Sequence, residues 1–209
     1  MKKTFPVLNP YLLTLALLAL LLSCQKEKVI QEQKPQPLNS FSMRLNGQVW
    51  QPSQIGKEVC MRTFHGAWSA VTENSQQKPF YTISAYKDPQ AKVDYTSENA
   101  FKFQISNVKK TGLYEIKGSY TEDFSSYALF TINKPDGTYN RYVNKITHGS
   151  FFVEVSEFIP TPASELSGIR GTFYGTLYNE KNPLDSLIFQ GGEFTLKKIN
   201  WYNFNQCAQ

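Results

Sequence analysis

Histidine and cysteine are scarce in this chain, with two histidines and three cysteines among 209 residues. No G-x-S-x-G motif accompanies the histidines, and no His/Cys set has the spacing of a zinc site. His65 and His148 each stand beside a glycine, which predicts two turn positions. We therefore predict a protein that is not an enzyme, with no catalytic residue, no metal and no cofactor.

The chain also has only a small excess of positive over negative charge. Lys and Arg outnumber Asp and Glu by 22 to 17, a net charge of +5, to which Lys2 and Lys3 at the N-terminus contribute two units. Such a small surplus predicts no nucleic-acid partner. Apolar residues reach 41% and charged residues only 19%, a balance that excludes an intrinsically disordered chain.

The one long apolar run lies at the N-terminus. Residues 11–22 are apolar except for Thr14, follow the two lysines and precede the polar stretch QKEK at 25–28. A charged start, a short apolar core and a small residue before the cleavage point are typical of an export signal. The run is shorter than the roughly 20 apolar residues of a membrane-spanning helix. Residues 1–23 are therefore predicted to be a signal peptide.

The sequence LLSC at 21–24 resembles the lipobox of bacterial lipoproteins. In that family the cysteine thiol is acylated and becomes the first residue after cleavage. The resemblance implies that Cys24 is the lipidation site and that the protein meets the membrane through this lipid. Gln25, rather than an aspartate, follows the cysteine, which in many Gram-negative lipoproteins implies the outer membrane. The sequence is consistent with either face of that membrane, the periplasmic face or the cell surface.

Residues 24–40 are predicted to comprise the lipidated cysteine and a flexible tether. From residue 25 this stretch is rich in Lys, Glu, Gln and Pro and has no apolar periodicity. Residues 41–209 are of a length that predicts a single domain.

From residue 41 onward apolar side chains recur at every second position, and no stretch shows the 3.6-residue period of a three-turn helix. Such runs occupy 41–45, 101–105, 128–132, 151–155 and 169–177, and strands at 187–189 and 194–199 close the domain. Short strands separated by turn signals predict an all-β fold, an antiparallel β-sandwich or open barrel.

Turn residues and glycines refine this prediction. Asn46-Gly47 between two alternating runs is a strong hairpin signal, and KPDG at 134–137 predicts a turn that returns residues 139–143 as a partner strand. Gly171 and Gly175 fall on the apolar side of their strand. They predict a bend or the close approach of another strand.

The remaining two cysteines, Cys60 and Cys207, form an even pair in an exported chain. Such a pair makes a disulfide in an oxidising compartment. The alternative is a buried Cys60 and a free thiol at Cys207 in the tail.

Aromatic residues make up 14% of the chain. Trp50, Trp68 and Trp201 are candidates for stacking on a sugar ring or anchoring a protein partner, and the alternative is that they fill the core. The sequence DSL at 185–187 is similar to the acceptor motif for O-glycosylation in Bacteroidetes. That similarity implies Ser186 as the modified residue.

Three segments resemble small lipoproteins of unknown function that are common in Bacteroidetes. They are FSMRLNGQVW at 41–50, SGIRGTF at 167–173 and GGEF at 191–194. The resemblance implies a β-rich fold and no established activity.

We therefore expect a non-enzymatic, lipid-anchored envelope protein that acts as a binding or accessory module. One alternative is a surface glycan-binding lipoprotein of a polysaccharide-uptake system, which requires an exposed aromatic row. The other is an adhesin or pilus-type assembly subunit, which requires an unpaired edge strand.

Overall fold

A computed structural model describes residues 39–53, 63–87, 99–147, 150–160 and 167–197. Within these ranges 67% of the residues are in strands and none is helical, so no described helix is long and apolar enough to cross a membrane. The all-β prediction is confirmed. The strands are β1 (Asn39–Leu45), β2 (Gln48–Trp50), β3 (Phe64–Glu73), β4 (Gln76–Lys87), β5 (Asn99–Ser106), β6 (Gly112–Glu115), β7 (Tyr127–Asn133), β8 (Tyr139–Val143), β9 (Phe151–Ile159), β10 (Gly168–Asn179) and β11 (Ser186–Leu196).

The strands form one antiparallel sheet that curls into a half-barrel. Its order is β2-β1-β11-β10-β8-β7-β5-β4-β3, with β9 on the other part of the β10 edge and β6 beside β9. The closing strand β11 lies between β1 and β10, so the two ends of the described chain are neighbours.

Hairpin turns set the register of neighbouring strands. Asn46 and Gly47 have φ values of 49° and 80° and join β1 to β2, which confirms the predicted hairpin. The turn at 134–137 joins β7 to β8 as predicted, and Gly137 has φ 80°. A third turn, which was not predicted, joins β3 to β4 at Asn74 and Ser75, whose φ values are 50° and 61°.

Strand β10 changes partner along its length, and its glycines make this change sterically feasible. Residues 168–175 pair with β9, whereas Tyr178 and Asn179 pair with β8. A Cβ on Gly171 would lie 2.0 Å from the carbonyl oxygen of Glu154, and one on Gly175 would lie 2.2 Å from that of Ser150. The predicted close approach of another strand is therefore confirmed.

Phenylalanine rings fill the inside of the curl. Phe101 of β5 stacks on Phe173 of β10 and on Phe189 of β11, with ring centroids 5.3 Å apart in both pairs. Phe41 of β1 lies 5.5 Å from Phe64 of β3, so the two ends of the sheet also face each other across the core. These aromatic contacts hold the curl closed through side-chain packing.

Two boundaries differ from the sequence-based expectation. The predicted tether extends to residue 40, but β1 already begins at Asn39, whose Oδ1 accepts a hydrogen bond of 2.8 Å from the Lys197 amide. The two strands predicted near the C-terminus form one strand, β11. The sequence pattern suggested a break between them, but Gly191, with φ 53°, lets the strand continue through a bulge.

Candidate ligand-binding site

Several predicted site residues lie outside the described residues. They are the lipidation site Cys24, the two cysteines of the proposed disulfide, Cys60 and Cys207, and Trp201. The corresponding expectations stay predictions.

Of the two alternatives for Trp50 and Trp68, ligand stacking and core packing, the structure supports core packing and rules out stacking. The two residues are only 5% and 7% exposed, because both side chains point into the curl. Trp50 makes an edge contact with Phe41, and Trp68 packs against Tyr81. Neither indole presents an open ring face, as stacking requires.

Ser186 opens strand β11 and is partly exposed. The carboxylate of the neighbouring Asp185 accepts hydrogen bonds from the Tyr142 hydroxyl at 2.9 Å and from Asn179 Nδ2 at 2.8 Å. The acidic side chain of the acceptor motif is thus part of a hydrogen-bond network, and glycosylation of Ser186 stays a prediction.

His65 lies within β3 and not in the turn that its neighbouring glycine suggested. It is paired with Ser84 of β4, and its ring meets the edge of the Tyr86 ring at 5.8 Å. The adjacent Gly66 faces inward, where a Cβ would collide with the Leu196 side chain. Close packing of strands, and not a turn, explains this glycine.

A loop on the outer face of the sheet carries the most distinctive exposed aromatic side chain. Residues 118–126, which we call the strap, precede β7, and their ends are joined by a 2.7 Å bond from the Gly118 amide to the Ser126 carbonyl. Gln104 of β5 donates a 2.8 Å bond to the Ser125 carbonyl. This contact explains why Gln104, a polar residue on the outer side of its strand, is buried.

A cavity of about 430 Å³ lies beside the strap. Its walls include Phe80 of β4 and Phe124 of the strap, whose ring centroids are 5.4 Å apart at an angle of 59°. Phe124 is 50% exposed. We call this cavity the Phe80–Phe124 pocket; it offers ring surface together with access from solvent.

The backbone of Phe124 is strained. Its φ of 58° lies in the left-handed region, which costs a residue with a Cβ roughly 1–2 kcal/mol. Asparagine and glycine adopt this conformation easily, but a bulky aromatic residue rarely does. Strain of this kind is concentrated at binding sites and catalytic sites, which makes the pocket the leading candidate for a functional site.

Polar groups surround the two rings. Lys78 and Glu73 form an ion pair across the β3–β4 hairpin, and Ser106, Asn107 and Asp123 complete the polar lining. A cavity with apolar ring surface and a few convergent polar groups is the usual form of a small-ligand site.

The outer face of β4 continues this surface. Thr82, Ser84 and Tyr86 follow Phe80 at alternate positions and line a second cavity of about 550 Å³, to which Lys102 of β5 also contributes. Thr82 donates a 3.0 Å bond to Gln104. Phe80 borders both cavities, which lie next to each other along the strand.

At the other side of the strap, Tyr120 is held by two charged residues. Its hydroxyl donates to Glu180 Oε1 at 2.7 Å and accepts from Arg141 Nη1 at 2.7 Å. The bond to the Glu180 carboxylate is the main reason that the pKa of Tyr120 lies above its ordinary value of 10.0. The Arg141 guanidinium also lies over the rings of Tyr120 and Tyr139, at 4.9 Å and 5.0 Å from their centroids.

Sequence reasoning missed both rings of the pocket, although signals for them exist. Phe124 is the one aromatic residue in the polar run TEDFSS at 121–126. Phe80 belongs to a strand in which both faces carry large side chains, so the alternation is hard to see. Over the same described residues, no group of three or more His, Cys, Asp or Glu residues could hold a metal ion.

Comparison with known families places the chain in one of them. The model of the domain of unknown function DUF5025 matches residues 38–197, and the chain therefore belongs to this family. No curated protein and no solved structure matches the chain.

Proposed function

We propose that this DUF5025 protein is a lipid-anchored, non-enzymatic lipoprotein of the bacterial outer membrane that binds carbohydrate in the Phe80–Phe124 pocket. The single observation that carries the binding role is the pair of partly open phenyl rings beside a strained backbone. The lipobox at Cys24 and the polar stretch that follows support the anchor. Resemblance to small Bacteroidetes lipoproteins supports the same setting.

Carbohydrate suits the chemistry of the pocket. A sugar ring has an apolar C–H face, which stacks on an aromatic ring, and hydroxyl groups at its edge, which exchange hydrogen bonds with Asn, Ser, Asp and Lys. The ionisable lining consists of Glu73, Lys78 and Asp123, with no surplus of positive charge. This lining favours a neutral sugar over an acidic one.

The continuation of the surface along β4 favours a chain of several sugars over a single one. Phe80 and Tyr86 are six residues apart on one strand, and a strand rises about 3.3 Å per residue, which places them roughly 20 Å apart. Thr82 and Ser84 lie between them with hydroxyl groups on the same face. A polysaccharide would therefore meet ring surfaces at two points along the strand.

The ion pair of Glu73 supports a binding role for the pocket over a catalytic one. Glu73 is paired with Lys78, an arrangement that stabilises the hairpin and positions the ammonium group at the rim. The assembly-subunit alternative requires an unpaired edge strand. Strands β2 and β3 are the two ends of the sheet order, and Phe64, His65 and Gly66 of β3 have further interactions, so we do not base the proposal on this edge.

Affinity electrophoresis of the detergent-solubilised full chain against a panel of soluble neutral polysaccharides tests the binding role. Phe124→Ala and Phe80→Ala should each weaken the retardation at least tenfold, as loss of an aromatic anchor does. Tyr174→Ala is the matched control, because Tyr174 is 45% exposed but lies on β10 and outside the pocket. Equal loss in all three variants, or no polysaccharide bound by the parent, would refute the proposal.

The anchor is tested separately. Cys24→Ala should abolish acyl labelling and release the protein from the membrane fraction, while the β-type circular dichroism of the domain is retained. Labelling that persists in this variant would show that Cys24 is not the lipidation site.

A further inference from the structure

We infer that the Arg141–Glu180 pair positions the strap through Tyr120, and that this contact preorganises the Phe80–Phe124 pocket for its ligand. The ligand part of this inference rests on the proposed function, whereas the positioning part does not. Arg141 lies on β8 and Glu180 directly follows β10, so neither lines the pocket itself.

The strap is a short closed loop with few places at which it can be held. Its ends are joined by the Gly118–Ser126 bond, which leaves the middle to be fixed by other contacts. Loops of this kind, with neighbouring ends and a compact body, are frequently functional. A Cβ on Gly118 would lie only 1.6 Å from Ser125 Oγ, which shows how closely the two ends approach.

Contacts within the strap connect Tyr120 to Phe124 mechanically. Ser119 Oγ lies 2.7 Å from Thr121 Oγ1 and accepts a 3.2 Å bond from the Thr121 amide, and the Ser119 carbonyl accepts a 3.1 Å bond from the Glu122 amide. Only three residues separate Tyr120 from Phe124. These bonds fix residues 119–122, so we expect a shift of Tyr120 to displace the phenyl ring, which lies two residues further along the chain than this segment.

The hold on Tyr120 is specific to a guanidinium. Arg141 donates to the Tyr120 hydroxyl, lies 3.6 Å from Glu180 Oε2 and packs over two tyrosine rings. A lysine keeps the positive charge but has a point-like ammonium without the planar fork, so it cannot make these contacts together. Arg141→Lys therefore removes the geometry while retaining the charge.

The strained conformation of Phe124 explains why such a hold is needed. A backbone at φ 58° persists only where its surroundings fix it. If the strap is released at Tyr120, the ring leaves its binding position for part of the time. The apparent affinity then falls in proportion to the fraction of molecules in which the pocket remains formed.

Hydrogen exchange of the full chain and the polysaccharide assay, run on the same variants, test the inference. Arg141→Lys and Tyr120→Phe should speed amide exchange at residues 119–124 about tenfold, as expected for the loss of a charge-assisted hydrogen bond. Exchange in β5 and β10 should be unchanged, which separates a local effect from general destabilisation. Affinity should fall by a similar factor in both variants.

Glu157→Gln is the matched control, because it removes the Arg170–Glu157 pair on another part of the sheet, with a 2.5 Å contact. It should leave both measurements at parent values. Unchanged exchange in Arg141→Lys and Tyr120→Phe would overturn the positioning role, and faster exchange with unchanged affinity would overturn preorganisation. If the parent binds no polysaccharide, the proposed function fails, while the exchange data still decide whether Arg141 and Glu180 hold the strap.

Discussion

Replacing Phe124 with glycine and, separately, with alanine distinguishes the energy of its ring from the strain of its backbone. Both changes remove the phenyl ring, but only glycine also removes the Cβ that disfavours a φ of 58°. We expect Phe124→Gly to unfold at nearly the parent denaturant midpoint and Phe124→Ala at a clearly lower one. Neither variant should bind polysaccharide with parent affinity.

The magnitudes follow from exposure and backbone geometry. Full burial of a phenylalanine side chain contributes about 1.5–3 kcal/mol. Since half of Phe124 is exposed, its loss should cost roughly 0.8–1.5 kcal/mol in the alanine variant. Glycine loses the same contacts and regains roughly 1–2 kcal/mol of backbone strain, part of which its greater freedom in the unfolded chain cancels.

Urea unfolding followed by circular dichroism measures the difference, which we expect to be about 1 kcal/mol in favour of glycine. In a thermal melt this corresponds to roughly 2–4 °C for a domain of this size. Leu113→Ala and Leu113→Gly form a control pair, because Leu113 is an exposed strand residue, and there glycine should be the less stable variant. A Phe124→Gly protein less stable than Phe124→Ala would refute the argument from strain.

Three further predictions concern the body of the domain. Burial raises the pKa of Tyr81 to about 12. The free energy of unfolding should therefore fall between pH 10 and 12, because the unfolded chain loses this proton there while the folded chain keeps it. In urea melts, Tyr81→Phe should reduce this dependence of stability on pH. Gly171→Ala, whose Cβ would lie 2.0 Å from the Glu154 carbonyl, should lower stability by about 3 kcal/mol or prevent folding, whereas Thr172→Ala on the exposed side should change it by less than about 0.5 kcal/mol. Among the residues that the structure describes, buried Trp50 Nε1 has no hydrogen-bond partner. Trp50→Phe should therefore cost clearly less than the about 3–5 kcal/mol expected for Trp50→Ala in thermal unfolding.

The fold was largely predictable because its strands alternate cleanly. Phe151, Val153 and Val155 are buried in β9, whereas Phe152 and Glu154 between them are partly or fully exposed, as a period of two requires. Asn46-Gly47 identified its hairpin because few residue pairs accept two positive φ values. The pairing of β10 with both β9 and β8 could not be predicted, because the sequence of a strand does not indicate which strand lies beside it.

The candidate site was much less predictable, because the side chains that form it are distant in sequence. Phe80 and Phe124 are separated by 44 positions, and their contact depends on where the strap crosses the sheet. Trp50 and Trp68 drew attention by residue type, yet large aromatic side chains are equally good core material. Exposure, and not composition, separates a binding aromatic from a packing one.

The two walls of the pocket are held by different kinds of contact, and this difference bears on how the pocket can change shape. Phe80 stands on β4, whose inner face is locked by Tyr81, Ile83 and Ala85, all buried in the core. Phe124 stands on a loop whose hold depends on a few polar contacts, and regions of this kind open at lower free energy than core strands do. Substitutions in the strap can therefore reshape the pocket while the sheet beneath it keeps its structure. Under the proposed function, a change of ligand preference should therefore follow substitutions in the strap more closely than substitutions in β4.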